Sequence, residues 1–251
     1  MHSYSLDRGN HRLYTRRMEK KIIDIKEETV SFHARKSFME SCGFDMGKSE
    51  TSAMIHMADE VRSRMHNTIN LKAVVTRFGQ EVFEKGKVVI GDEEFKCNFF
   101  SQIPETAVEE IYFYVVTAGK CELKKQGDVK IMDQLFADIW GNAYVEAAAA
   151  EIKENVIEKE IKERFPGMNV CLSDEFGPGY FGMPVSESGK FAEILDAEQI
   201  KVYVNENGLM MPPKTCTGMY LVLNRNDIKA ENACIRCQGN PSGCRFCSVG
   251  R

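Results

Sequence analysis

Several things are scarce in this 251-residue sequence. No stretch approaches the ~20 consecutive apolar residues that a membrane-spanning helix requires. The opening segment, MHSYSLDRGNHRLYTRRMEKK, lacks the apolar centre of a secretory signal, so the expectation is a cytoplasmic protein. With 7 Pro, 43% hydrophobic residues and 28% charged ones, the composition excludes a disordered or collagenous chain. Basic residues are not in excess: 33 Lys and Arg face 37 Asp and Glu, a net charge of -4. Neither nucleic acid nor a membrane is therefore an expected partner. The five histidines, His2, His11, His33, His56 and His66, all lie far from the later glycine-rich loop in sequence. A phosphate loop, a dinucleotide GxGxxG, a GxSxG nucleophile turn and an HExxH zinc helix are all missing.

The charge that is present is uneven. Residues 1–21 hold Arg8, Arg12, Arg16, Arg17, Lys20 and Lys21 against Asp7 and Glu19, a net +4 that leaves -8 on the remainder. This segment reads as a solvated basic arm.

Cysteine is the residue in surplus. Nine is an odd number, and without a secretory signal reduced thiols are expected rather than a disulfide framework. Cys42, Cys97, Cys121, Cys171 and Cys216 are scattered, whereas Cys234, Cys237, Cys244 and Cys247 form C-x2-C-x6-C-x2-C near the C-terminus. Each C-x2-C pair lets two thiolates reach one metal centre, and the Gly/Asn/Pro/Ser spacer can turn one pair onto the other. Four thiolates suit a tetrahedral zinc or an iron–sulfur cluster. Arg236, Arg245 and Arg251 would offset their negative charge. The spacing does not choose between the metals. Zinc ribbons usually leave a longer gap between pairs, and the bacterial ferredoxin run is tighter.

Periodicity places helices at 34–43 and 50–68, the latter with an apolar stripe of Met54, Met57, Ala58, Val61 and Met65 that predicts a core face. His56 and His66 fall off that stripe, on the surface. Strands follow at 71–78, 87–92 and 111–119. A long helix starts near Met132 and stops at Pro166-Gly167, with Gly141 marking a bend or a tight contact and the alanines 147–150 allowing close packing. A strand at 168–173 leads into the loop DEFGPGYFGMP (174–184), whose glycines let backbone approach a ligand and whose Tyr180 offers a ring with a polar tip. A short helix at 189–196, two strands and a polar linker complete the body. Helices and strands mix without regular βαβ alternation, which predicts an α+β fold.

Taken together, FMESCGFD (38–45), WGNAYVEAAAAEI (140–152), FGPGYFGMP (176–184) and VNENGLMMPPKTCTGMYLVL (204–223) resemble the activation (reactivation) domain of cobalamin (vitamin B12)-dependent methionine synthase, most closely its stand-alone relatives. The resemblance runs over about residues 24–225. It implies a curved antiparallel sheet packed with helices, in three parts: a basic arm (1–21), an activation-domain-like body (22–228) and a Cys-rich metal-binding tail (229–251). It further implies an accessory protein that assists reductive reactivation of Co(II) cobalamin held on a corrinoid protein or cobalamin-dependent methyltransferase, with S-adenosylmethionine as ligand. On this resemblance, Gly179 and Tyr180 match the Gly-Tyr of the family's ligand loop. Glu146 falls where the family has a ligand-contacting Glu, and Glu206 matches a second; Gly177 would line the same groove. One position departs. The family's loop has an Arg five residues before the Tyr that meets the ligand's carboxylate, and here Glu175 stands there. A carboxylate facing a carboxylate repels, so that contact needs another cation, such as Arg164. Two alternatives stay open: a zinc-stabilised docking module of the same fold without redox chemistry, and a protein that donates methyl from S-adenosylmethionine.

Overall fold

The computed structural model describes residues 19–44, 49–123 and 130–228. Along the chain these form β1 (Lys20–Asp24), α1 (Glu27–Cys42), α2 (Ser49–Met65) and β2 (Ile69–Gly79). A small meander follows, β3 (Phe83–Glu84), β4 (Lys87–Ile90) and β5 (Glu93–Phe95), and then the longest strand, β6 (Val108–Gly119). Helix α3 (Ile131–Glu151) runs through a π-helical turn (Ile152–Ile157) into α4 (Glu158–Arg164). Next come β7 (Cys171–Leu172), α5 (Ser188–Leu195), the hairpin β8 (Tyr203–Val204) and β9 (Met210–Met211), and β10 (Lys214–Leu223). Lys20 and Lys21, the last basic residues of the expected arm, belong to β1; residues 1–18 lie outside the described residues.

Strand β6 explains the architecture. Its run IYFYVV is apolar at every position, which is how a strand covered on both faces reads. It sits at the centre of a five-stranded antiparallel sheet ordered β1-β2-β6-β10-β7. Tyr112, Tyr114, Val116 and Ala118 point to one core and Ile111, Phe113 and Val115 to another. Successive side chains alternate between the faces, so two cores follow from one strand.

The first core lies under α1, α2 and α3. Helix α1 supplies Val30, Ala34 and Phe38, and α3 supplies Phe136, Trp140, Ala143 and Tyr144. Phe38 stacks on Trp140 at 4.0 Å between ring centroids, and the Trp140 indole N–H donates to the Ala58 carbonyl at 2.9 Å, tying α2 to α3. Of the expected methionine stripe, Ala58, Val61 and Met65 are buried, whereas Met54 and Met57 are exposed; Thr51, a turn before Met54, is buried. His56 and His66 are exposed, as expected. Gly141 marks a tight contact, since a Cβ there would come within 2.9 Å of the Cys121 and Lys214 side chains.

The second core is aromatic. The meander and α5 close over the opposite sheet face, with Phe95 at 5.3 Å from Phe113 and 4.9 Å from Phe191 between centroids. The expected strand at 168–173 shrinks to the two residues of β7: residues 168–170 lie outside the sheet, and beyond Leu172 the backbone pairs with β10 only at the Ser173–Leu221 bond and the Phe176–Met219 bridge. At the rim of the sheet, the buried Glu110 accepts from Arg77 at 3.0 Å and from Arg164 Nε at 3.0 and 3.1 Å. No helix among the described residues is long and apolar enough to cross a membrane.

Candidate functional site

Backbone hydrogen bonds lay the loop 174–184 against the β10 side of the sheet. Phe176 and Met219 exchange N–H···O bonds of 3.0 and 2.7 Å, and the Ser173 N–H donates to the Leu221 carbonyl at 2.9 Å. Gly177 permits this approach, because a Cβ there would lie 2.8 Å from the Thr217 carbonyl oxygen. Two turns then close: the Tyr180 N–H donates to Gly177 at 3.0 Å and the Gly179 N–H to Met183 at 2.8 Å, with Gly179 at φ +91° where a side chain would be strained. Phe176 is buried against Phe100 and Phe181, at centroid distances of 5.0 and 5.3 Å. With both phenylalanines fixed below, Tyr180 is left exposed at the tip.

Glu175 precedes this anchor and points to the helix-covered face of the sheet. Its Oε1 accepts from the Tyr114 hydroxyl, and its Oε2 from the Tyr220 hydroxyl at 3.3 Å. The two tyrosine rings stack at 5.5 Å. They meet because β6 pairs with β10, with Tyr112 opposite Tyr220 and Tyr114 opposite Gly218. Glycine at 218 leaves room for the carboxylate, since a Cβ there would lie 3.2 Å from Glu175 Oε1. Burial first, and then neighbouring negative charge, drives both tyrosine pKa values upward, so both stay neutral donors.

Glu146 approaches from the long helix, where its Oε2 accepts from the Ser37 hydroxyl of α1 at 2.6 Å. Glu146 and Glu175 act on the same neighbours. Burial first, and then Glu175 and Glu146, push the Cys216 thiol up to about 12. The Tyr180 hydroxyl is raised by partial burial, by Glu175, by Cys216 and by Glu146. The structure therefore brings Glu146, Glu175 and Tyr180 together near Cys216, while Gly177 lies against Thr217 and Gly179 near Val185. Glu206 is apart: it is exposed in the turn between β8 and β9, whose Gly208 approaches Ser186 instead.

Among the described residues no ion pair reaches Glu146 or Glu175. Arg164, the candidate substitute for the family's arginine, is committed to Glu110. The cation that shares a cleft with Glu175 is Lys153, missed by sequence reasoning. Its Nζ lies 5.8 Å from the centre of the Tyr220 ring, a cation–π distance. The π-helical turn carries it there, and both residues line a cleft of ≈ 410 Å³ that also takes in Ser173, Asp174 and Ile228. Such turns alter the direction of the residues they carry. Nothing in the local sequence signals this, although Lys153 falls seven residues after Glu146 on one helix face.

The four cysteines Cys234, Cys237, Cys244 and Cys247 lie outside the described residues. Among the described residues, no group of three or more His, Cys, Asp or Glu side chains is placed to hold a metal ion.

The architecture is thus an antiparallel sheet with helices on one face, an aromatic cap on the other, and a glycine loop folded onto β10 beside a pair of carboxylates. Among solved structures the chain is similar to the MetH reactivation domain, in a crystal structure with AdoHcy bound. The TM-score is 0.52 with 16% sequence identity, over 91% of this chain and 85% of that one. The chain has the fold of that domain. No family model matches the sequence, and no curated protein matches it.

Proposed function

We propose that this protein is an accessory factor of a cobalamin-dependent methyltransferase, such as methionine synthase, and assists the reductive reactivation of Co(II) cobalamin held on its partner. The observation that carries this reading is the near full-length likeness to a reactivation domain that binds AdoHcy, together with a loop and helix pair lined by Glu146, Glu175 and Tyr180. An adenosyl sulfur ligand fits this donor set at its cationic end. Its ammonium group suits Glu146, and the sulfonium of S-adenosylmethionine suits Glu175. Lys153 is the cation available to a ligand carboxylate, in the place an arginine would otherwise serve. The Cys-rich tail supplies the second half of the proposal. If its thiolates hold an iron–sulfur cluster, the protein delivers the electron itself.

The zinc-stabilised docking module is the second reading, favoured by Glu175, whose charge opposes a ligand carboxylate. The separating experiment quantifies iron, sulfide and zinc in anaerobically purified protein alongside its visible spectrum and the binding heat of S-adenosylmethionine. Iron and sulfide with absorbance that bleaches on reduction, plus saturable binding, support reactivation. One zinc per chain, no colour and no binding heat reduce the protein to a docking module.

A further inference from the structure

We propose that the cleft beside β7 is the seat of the chain's own C-terminal segment, residues 229–251. The cleft holds ≈ 410 Å³, and Lys153, Asp174, Glu175, Tyr220, Asn226 and Ile228 are among the residues that line it. Asn226 and Ile228 belong to the stretch from which the segment departs. That stretch is fixed in place. The Asn224 N–H donates to the Ala107 carbonyl at 3.0 Å, and its side-chain amide donates to the Thr106 carbonyl at 2.9 Å and to Glu109 at 2.7 Å. Cys171 Sγ donates to the Arg225 carbonyl at 3.3 Å, and Cys171 and Ile228 both pack against the second core. Ile228, the last described residue, is therefore part of the cleft wall. Cys234 follows Ile228 by six residues, so at most roughly 20 Å of extended chain separates them.

Charge selects this occupant. The segment carries Lys229, Arg236, Arg245 and Arg251 against Glu231, a net +3 with its thiols protonated, and still positive when four thiolates hold a divalent centre. The cleft offers Asp174 and Glu175 against Lys153. Glu175 is held by two tyrosine hydroxyls, with no ion pair among the described residues, so an arriving guanidinium meets an oriented carboxylate. Tethering raises the local concentration of the segment to the millimolar range, which lets a weak charge contact persist. A tail seated here would bring its cysteines beside Glu175 and the glycine loop. This inference needs no adenosyl ligand and no corrinoid, and a tail seated here competes with the proposed ligand for Glu175 and Lys153.

The test is hydrogen–deuterium exchange on the full chain, comparing the wild type with the triple variant R236E/R245E/R251E. In the variant, amides of residues 171–176 are expected to exchange at least fivefold faster, while those of residues 111–116 in the central strand are unchanged. The same acceleration is expected in the wild type on passing from low salt to 1 M NaCl, where the Debye length falls to about 3 Å. The salt series makes the same test without any substitution. Equal exchange at 171–176 in wild type and variant, or no acceleration of the wild type in 1 M NaCl, overturns the proposal and leaves the cleft to a ligand or another protein.

Discussion

The Tyr114 hydroxyl donates to the Glu175 carboxylate across 61 residues of sequence, and stacking of Tyr114 on Tyr220 brings a second hydroxyl to the same group. Glu175 is thereby oriented by strands β6 and β10, not by its own loop. Removing the Tyr114 hydroxyl in Tyr114→Phe leaves one carboxylate oxygen without its donor. A bond to a charged, partly buried group contributes on the order of 1–2 kcal/mol. Tyr220→Phe removes the longer, 3.3 Å bond and should cost less. Urea denaturation of the two variants checks the order, and a larger loss in Tyr220→Phe would contradict this geometry.

Alkaline pH should unfold the protein earlier than its composition suggests. Tyr112, Tyr114, Tyr144 and Tyr220 are all buried, and burial is the leading cause that raises each hydroxyl above the ordinary 10.0. Burial likewise pushes Cys121 and Cys216 up from 9.0 to about 12. Each group keeps its proton in the folded state at a pH where the unfolded chain releases it. Their contribution to stability is complete below pH 9 and is lost as pH rises toward the folded values. Each fully coupled group adds a slope of about 1.4 kcal/mol per pH unit. Denaturant midpoints measured from pH 8 to 11 should be flat to about pH 9 and then fall steeply. A midpoint constant to pH 11 would refute the burial of these hydroxyls.

Much of this fold was legible because its signals are local. The continuous apolar run of β6, the long helix ending at Pro166-Gly167 and the glycine loop each declare themselves within about a dozen residues. The site was legible in part. Glu146, Glu175 and Tyr180 rest on sequence likeness and come together around Cys216. Their partners were hidden for a physical reason. Tyr114 and Tyr220 reach Glu175 only through the strand order and the β6–β10 register, which periodicity does not encode. Met54 and Met57 follow a helical stripe, yet both stay exposed while Thr51, Ala58, Val61 and Met65 on the same helix are buried. Arg164 sits close enough in sequence to serve the loop, but the buried Glu110 claims it.

That claim has a measurable consequence. Glu110→Ala leaves Arg77 and Arg164 facing each other at the sheet rim without the carboxylate that both grip. Both arginines are partly solvated, at 34% and 37% side-chain exposure, which moderates the loss relative to a fully buried pair. A cost of about 2–3 kcal/mol is expected. Arg164→Ala should cost less, because Arg77 stays with Glu110. Thermal unfolding of the two variants checks the ranking.

Gly177→Ala tests the loop's seat on β10. The added methyl would lie 2.8 Å from the Thr217 carbonyl oxygen, a backbone atom that cannot swing aside. The Phe176–Met219 bridge must loosen, at a cost of roughly 1–3 kcal/mol. Amide exchange of Phe176 and Met219 should rise with it. Gly189→Ala, where a Cβ meets nothing within 4 Å, serves as the matched control and should leave both amides unchanged.

The charge of Glu175 is the feature that separates a ligand site from a closed one, and Glu175→Gln isolates it. Glutamine keeps an oxygen to accept from Tyr114 or Tyr220, so the scaffold around the loop survives while the negative charge goes. AdoHcy carries a carboxylate and no sulfonium, and the proposed site sets that carboxylate near Glu175 with Lys153 as its cation. Loss of the repelling charge should then tighten AdoHcy binding about three- to tenfold, or roughly 0.7–1.4 kcal/mol. S-adenosylmethionine should gain less, because its sulfonium loses an attractive neighbour as its carboxylate loses a repulsive one. Lys153→Ala should weaken both ligands and cancel much of the gain when combined with Glu175→Gln. Isothermal titration of the four proteins with both ligands reads these differences directly. Equal affinities throughout would mean that neither Glu175 nor Lys153 faces the amino-acid end of the ligand.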